Sequence, residues 1–354
     1  MKVHPNQIVP GCLIIKDVMG QTELPIIPKN TVVEPIHLQV LKKFQVKEVI
    51  VANKLVSGEQ FEADESEGTG DAESKKSFYE IYVDAVKQTK AMFNNWTKHS
   101  VIDLQKVRNT IAPLIEQGEN KRDLLLKLYH YNDKHQYFYH HMVSNSVISA
   151  YLAKKLGYSE EQRFKVALAA YLSDIGMLKE KDDIYLKDGV LTKEEYETVQ
   201  KHPVQSYRMI DDLAVSKDVK LAVLQHHERL DGSGYPLGVK RGKIHQYARI
   251  IAVSDIFHAM TSERIYRRKE SPYKVIEEMT KGQIGKLDMK VVDELVKAIV
   301  NFGNGNHVRL TNNEIGTIVF TDEKYPTRPF IRLDQSKDII NLNDHPDLYI
   351  EEVL

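Results

Sequence analysis

The sequence predicts a mainly α protein, a helical bundle preceded by a small β-rich module and followed by a short β extension. Three observations carry this. From Phe78 to about Phe302 apolar residues recur at three and four, in segments such as FYEIYVDAVKQTKAMF, VISAYLAKKLG and VIEEMTKGQIGKLDMKVVDELVKAIV. Ahead of this region, VHPNQIVPGCLIIKDVMGQTELPIIPKNTVV is rich in branched residues and broken by proline and glycine, which favours short strands and turns. Behind it, after Gly305, HVRLTNNEIGTIVF, PFIRL and DLYIEEVL are short strand-like runs separated by polar turns.

Taken in order, residues 1–56 make the β-rich module. Within it PIHLQVLKKF has helical spacing, VKEVIVA reads as a closing strand, and Cys12 reads as a small buried strand residue. Residues 57–76 form an acidic linker. Glu59, Glu62, Asp64, Glu65, Glu67, Asp71 and Glu73 stand among glycines and serines, too polar to bury a core. Residues 77–124 are connecting helices whose apolar face serves either intramolecular packing or a homodimer contact. Residues 125–304 form the main helical domain. In it LGYS after Lys155 marks a helix end and the next N-cap. Residues 305–354 are the β extension.

Composition limits the function classes. With 354 residues and 42% hydrophobic content, the chain exceeds the usual size of one domain. Lysine plus arginine (49) balances aspartate plus glutamate (50), so no global field draws it to a nucleic acid polymer or an anionic membrane. A single cysteine excludes an internal disulfide, and no apolar run approaches bilayer-spanning length. These features predict a cytoplasmic protein.

The helical region carries several metal-ligating residue types. Asp174, in YLSDIGM, follows the nearly apolar AALAAYL, where a carboxylate needs either a cation or a local cap formed with Gly176. His141 lies in YFYHHMVSNSV, where alone it reads more readily as a satisfied core histidine, and His202 lies in QKHPVQSYRMI. His226 and His227 are adjacent in LQHHERLDGSGYP, and on a helix their side chains diverge by about 100°, which suits two neighbouring metals. Asp255, in IIAVSDIFHAMTS, is a second embedded acid. Four imidazoles and two carboxylates match the mixed nitrogen and oxygen ligation of iron or manganese, and also of zinc or nickel. In DGSGYP two glycines and a proline force a sharp turn that offers Tyr235. TSERIYRR places Arg264 and Arg267 on one helical face, either solvated or suited to a phosphate.

HHERLDGSGYP followed by ARIIAVSDIFHAMTSERIYR resembles the HD-GYP family, metal-dependent phosphodiesterases of the messenger cyclic di-GMP, over roughly Leu125 to Phe302. The resemblance implies an HD-GYP-type helical bundle. It makes His141, Asp174, His202, His226, His227 and Asp255 metal ligands, with Asp174 assisting the activation of water. Tyr235, Arg264 and Arg267 fall where the family holds the nucleotide.

Four positions depart from the pattern. The dyad histidine is Ser173, the lysine expected shortly after it is Met177, the glutamate expected one turn before His141 is Tyr137, and a further acid after Asp255 is His258. The remaining ligands suit one or two divalent ions. These losses favour a cyclic di-GMP sensor that binds metal and a cyclic dinucleotide, hydrolyses weakly or not at all, and signals to a protein partner. The alternatives are an active phosphodiesterase giving a linear product and a structural interaction module.

Overall fold

The computed structural model describes residues 1–354 apart from 20–24, 45, 47, 62–75, 97–101, 122–123, 180–188, 190–191, 265–267, 283–284, 301–302 and 323. Most of the acidic linker and Arg267 lie outside the described residues.

The first module contains β1 (Lys2–Val3), β2 (Cys12–Ile14), β3 (Val18–Met19), β4 (Pro25–Ile27), β5 (Thr31–Val32), α1 (Pro35–Lys43) and β6 (Val49–Leu55). Four strands form an antiparallel sheet in the order β1-β6-β2-β5, with Lys2 opposite Ile50 and Leu13 opposite Val32. Strands β3 and β4 pair separately. Alternation sends Cys12, Ile14, Val49 and Val51 into a small core with Leu41 of α1.

The helical region runs through α2 (Phe78–Trp96), α3 (Leu104–Gly118), α4 (Leu124–Tyr131), α5 (Tyr137–Lys155), α6 (Glu160–Leu172), α7 (Lys193–Val199), α8 (His202–Ile210), α9 (Lys217–Gln225), α10 (Gln246–Thr261), α11 (Pro272–Gly282) and α12 (Met289–Ile299). Local chemistry sets several boundaries. Asp103 caps α3, Ser216 caps α9, and Ser159 with Gln162 forms a reciprocal capping box on α6. Gly157 takes φ +81° just past α5, the left-handed closing conformation that glycine adopts without strain. Helix α5 is central: every residue from Phe138 to Ala153 is buried, because α2, α3, α6, α10 and α12 all pack on it. Surrounded on all sides, it has no polar face. Inside the bundle Ser149 and Asn145 bond Ser254 of α10, and Ser144 bonds the Tyr82 hydroxyl of α2.

The chain closes with β7 (His307–Leu310), β8 (Ile315–Phe320), β9 (Phe330–Leu333), β10 (Ile339–Asn341) and β11 (Ile350–Val353), an antiparallel sheet in the order β10-β9-β8-β7-β11. Its inward residues Val308, Leu310, Ile331 and Ile350 share one continuous core with the helices. Buried Arg328 ties the two parts together. It pairs with Glu277 of α11 at 2.6 Å and donates to the carbonyls of Leu342, His345, Pro346 and Leu348. The first module meets the rest through Lys269–Glu34 at 2.8 Å and through Arg309, which donates to Asn30 O at 2.6 Å. Among the described residues no helix is long and apolar enough to cross a membrane.

Candidate metal centre

Five helices deliver the ligand-type side chains to one place. His141 comes from the second turn of α5, Asp174 from just beyond α6, His202 from the first position of α8, His226 and His227 from just beyond α9, and Asp255 from α10. A glycine determines how closely Asp174 and His202 approach. A β-carbon at Gly176 would stand 2.2 Å from His202 O and 2.5 Å from Ser206 N, so only glycine lets this turn lie against α8. Ser206 fastens the same contact: its hydroxyl accepts from Gly176 N at 2.8 Å and donates to Ser173 O at 2.6 Å.

Asp174, His202, His226 and His227 each offer a ligand atom within 4.8 Å of the others. His202 Nε2 lies 3.2 Å from Asp174 Oδ1 and 3.1 Å from His226 Nε2. The opposite nitrogens are both committed, since His202 Nδ1 donates to Val199 O and His226 Nδ1 to Val223 O, each at 2.7 Å. A carbonyl only accepts, so in the neutral rings both protons sit on Nδ1 and both Nε2 atoms present lone pairs. Two lone pairs and a carboxylate oxygen converging in a buried space call for a positive charge between them, which a proton or a metal ion supplies. Two nitrogens on one ion, each at about 2.1 Å, stand about 3.0 Å apart at a right angle and about 3.4 Å apart at a tetrahedral one, close to the spacing found here. The backbone carbonyls are the outer partners that fix a metal-binding imidazole. The donor set therefore fits a divalent metal.

Asp255 and His141 extend the cluster. His141 Nε2 sits between Asp255 Oδ1 at 3.0 Å and Asp174 Oδ2 at 3.4 Å, and His227 Nδ1 lies 3.6 Å from Asp255 Oδ2. The sequence expectation that His226 and His227 diverge on a helix does not hold. Helix α9 stops at Gln225, so both rings lie in the closing turn with centroids 4.0 Å apart, and both reach the same group of donors.

Burial dominates the electrostatics and is resolved differently at each group. It opposes charge on His141, yet the hydrogen-bonded carboxylates of Asp174 and Asp255 outweigh it and raise that imidazole to about 9. Burial also opposes ionisation of both acids, and their histidine partners overcome it, holding both carboxyls below the usual range. Desolvation with the neighbouring imidazoles lowers His226 to about 4 and pushes His227 well down, so both remain neutral imidazoles.

The turn after α9 places Tyr235 at the cluster's edge. A β-carbon at Gly234 would fall 2.4 Å from His227 O, so this glycine lets the loop fold back, with Tyr235 N donating to that same oxygen at 3.2 Å. Buried Glu228 clamps the loop by accepting from Leu237 N at 2.6 Å and Val239 N at 3.1 Å. Tyr235 then lies over His227 with centroids 4.7 Å apart, and burial keeps its phenol protonated.

The four departures have definite placements. The Ser173 hydroxyl donates to Ala169 O at 2.8 Å, bonding back onto its own helix instead of offering a ligand. Met177 is buried, and its N–H donates to Asp174 O. Tyr137 and His258 both stand against the outer nitrogen of His141, with Tyr137 OH at 3.3 Å and His258 Nδ1 at 2.9 Å. Arg264 lies over the Tyr137 ring with Cζ 4.3 Å from its centroid.

The expected helical face for Arg264 and Arg267 is not formed by Arg264. Helix α10 ends at Thr261, and Ser262 is extended (φ −98°, ψ 137°). The Thr261 hydroxyl bonds back to Phe257 O and that of Ser262 to the His258 ring, competing with continuation of the helix. Arg267 lies outside the described residues.

Sequence reasoning missed Ser206, Glu228 and the carbonyls of Val199 and Val223. Ser206 had a signal, since it follows His202 by four and shares its helix face. Glu228 directly follows the histidine pair, in HHE. The carbonyls carry no side-chain signature.

Comparison with known proteins agrees with this geometry. A family model described as HD domain matches residues 129–291. A cyclic di-GMP phosphodiesterase of Pseudomonas aeruginosa is 31% identical over 230 residues, covering 65% of this chain and 55% of that protein. A 3'3'-cGAMP-specific phosphodiesterase of Vibrio cholerae is 34% identical over 165 residues, covering 46% of this chain and 38% of that protein. The chain thus spans about half the length of the first relative and less of the second. Among solved structures, an HDG"Y"P protein of Bdellovibrio bacteriovorus shares the fold with a TM-score of 0.53 at 14% identity, over 83% of this chain and 97% of that one. With these histidine and aspartate side chains gathered in one helical bundle, and with these relatives, the chain carries an HD domain of the HD-GYP type.

Proposed function

We propose that this chain is a metal-dependent phosphodiesterase that opens cyclic di-GMP, or a related cyclic dinucleotide, to a linear product. The observation that carries it is the convergence of Asp174 Oδ1 with the His202 and His226 Nε2 lone pairs, a donor set that survives the four departures. Asp174, His202, His226 and His227 would hold one divalent ion, iron or manganese by the mixed donor set, while His141 and Asp255 offer donors for a second. Such an ion supplies a water of lowered pKa and neutralises charge on the phosphate. Tyr235 presents an aromatic face for a base, and Arg264 a guanidinium for a phosphate oxygen. Hydrolysis forms one bond from the water oxygen to phosphorus and breaks one ribose–phosphate bond, the leaving oxygen taking up a proton.

A second reading, nucleotide binding without turnover, is favoured by one observation: the Ser173 hydroxyl is bonded to Ala169 O and offers no ligand. One experiment separates the two. Purified protein loaded with manganese or iron is incubated with cyclic di-GMP, and linear product is resolved from substrate. Product that disappears in Asp174→Ala supports the phosphodiesterase, whereas saturable binding without product supports the sensor. Neither binding nor product leaves a structural module.

A further inference from the structure

We infer that Tyr137, at the position where the family pattern has an acidic ligand, acts instead as an aromatic seat for Arg264 and so positions the cation that meets the nucleotide phosphate. Its functional part rests on the cyclic dinucleotide reading above; the seat itself rests on geometry.

Arg264 lies just beyond the end of α10. An arginine loses considerable rotamer freedom when fixed, so contacts that hold its side chain in place favour phosphate binding. Two contacts contribute to this. Its Cζ stands 4.3 Å from the Tyr137 ring centroid, within cation–π range, and its Nη2 donates to Ala259 O at 3.1 Å. Tyr137 is in turn the first residue of α5, four before His141, and its phenol oxygen lies 3.3 Å from His141 Nδ1. The ring therefore spans the gap between the metal-ligand cluster and the guanidinium. It also lies nearly parallel to His258, with an interplanar angle of 26°.

The chemistry differs from that of an acid. A carboxylate at 137 would engage the N–H edge of the guanidinium and offset its charge. An aromatic ring engages the face and leaves the charge intact. The phenol points at the outer nitrogen of His141 and the ring face at the guanidinium, so the residue serves the arginine and not the ion. Tyr137 is thus a positioning residue.

The test uses the full chain and two readouts. In metal-free, nucleotide-free protein with labelled arginine, the Arg264 side-chain signal, assigned with Arg264→Lys, carries a ring-current shift. The seat requires that this shift persist in Tyr137→Phe and vanish in Tyr137→Leu. In manganese-loaded protein, Tyr137→Leu should weaken cyclic di-GMP binding about 3- to 30-fold, the range of a cation–π contact. Tyr137→Phe and Tyr137→Trp should bind as the parent does, metal per chain should stay unchanged throughout, and Tyr137→Leu should add nothing to Arg264→Ala. A shift unaffected by Tyr137→Leu overturns the seat. Loss of metal in Tyr137→Phe also overturns it, by making the phenol a ligand. If the shift behaves as required but the parent protein binds no cyclic di-GMP, the nucleotide reading fails and the seat stands.

Discussion

The Nε2 atoms of His202 and His226 face each other at 3.1 Å while the other nitrogen of each ring donates to a backbone carbonyl. With both rings neutral the inner nitrogens are bare, and the pair then repels unless a positive charge stands between them, which makes the cluster responsive to metal.

Removal of metal should destabilise the fold. An ion present at a hundred times its dissociation constant adds about 2.7 kcal/mol, which for a chain of this size corresponds to a melting shift on the order of 5 °C. Differential scanning fluorimetry before and after chelation, and after manganese is restored, checks this. Unchanged melting on chelation of a metal-loaded sample would contradict it.

Asp174→Asn keeps shape and removes charge. Because Asp174 contacts both His141 and His202, this change should weaken metal binding by at least about 100-fold, more than the loss of an outer partner. Equilibrium dialysis against graded manganese measures it.

Ser173→Ala should leave metal content unchanged. The hydroxyl it removes is bonded to Ala169 O, so the cost is that of one local hydrogen bond, about 1 kcal/mol. A drop in metal per chain by elemental analysis would show that the serine does reach the ion.

Gly176→Ala should disrupt the site from a position that donates nothing to it. The added methyl would meet His202 O and Ser206 N inside ordinary contact distance. The turn must then move away from α8 at a cost of about 1–3 kcal/mol, with metal affinity falling too. Urea unfolding gives the first quantity and dialysis the second.

Low pH should destabilise the protein partly through His130. This ring is fully buried, and desolvation, helped by the charge of Lys269, lowers its pKa to about 3. Above about pH 6.5 it is neutral in both folded and unfolded chains and has no effect. Between about 6.5 and 3 only the unfolded chain takes up the proton, so stability falls by ~1.4 kcal/mol per pH unit for this one group. His130→Leu should flatten the stability profile by one proton across that window. An unchanged slope would place the proton uptake elsewhere.

How much of this was legible in the sequence depended on how far apart the interacting residues lie. Helices α2 and α12 announced themselves by period, and the start of α6 by the N-cap Ser159, because those signals sit within a few residues. The six ligand residues were legible by chemical type, as acids and imidazoles in apolar settings. The end of α10 was not, since it depends on Thr261 and Ser262 bonding backward where the pattern reads on toward Arg264. Nor was the seat of Arg264, whose partner Tyr137 is more than a hundred residues away. The Ser206 link between Gly176 and Ser173 spans some thirty positions and becomes visible only when α8 is in place.

The contact at Gly176 bears on how the site comes to have its dimensions. Main chain rests on main chain there, pinned by the Ser206 hydroxyl, so the gap separating Asp174 from His202 is gauged by the thickness of two backbones. Side chains can swing and ions can be exchanged, but that thickness has no adjustable part. The spacing of the centre is in this sense a dimension of the scaffold, and an incoming ion is measured against it.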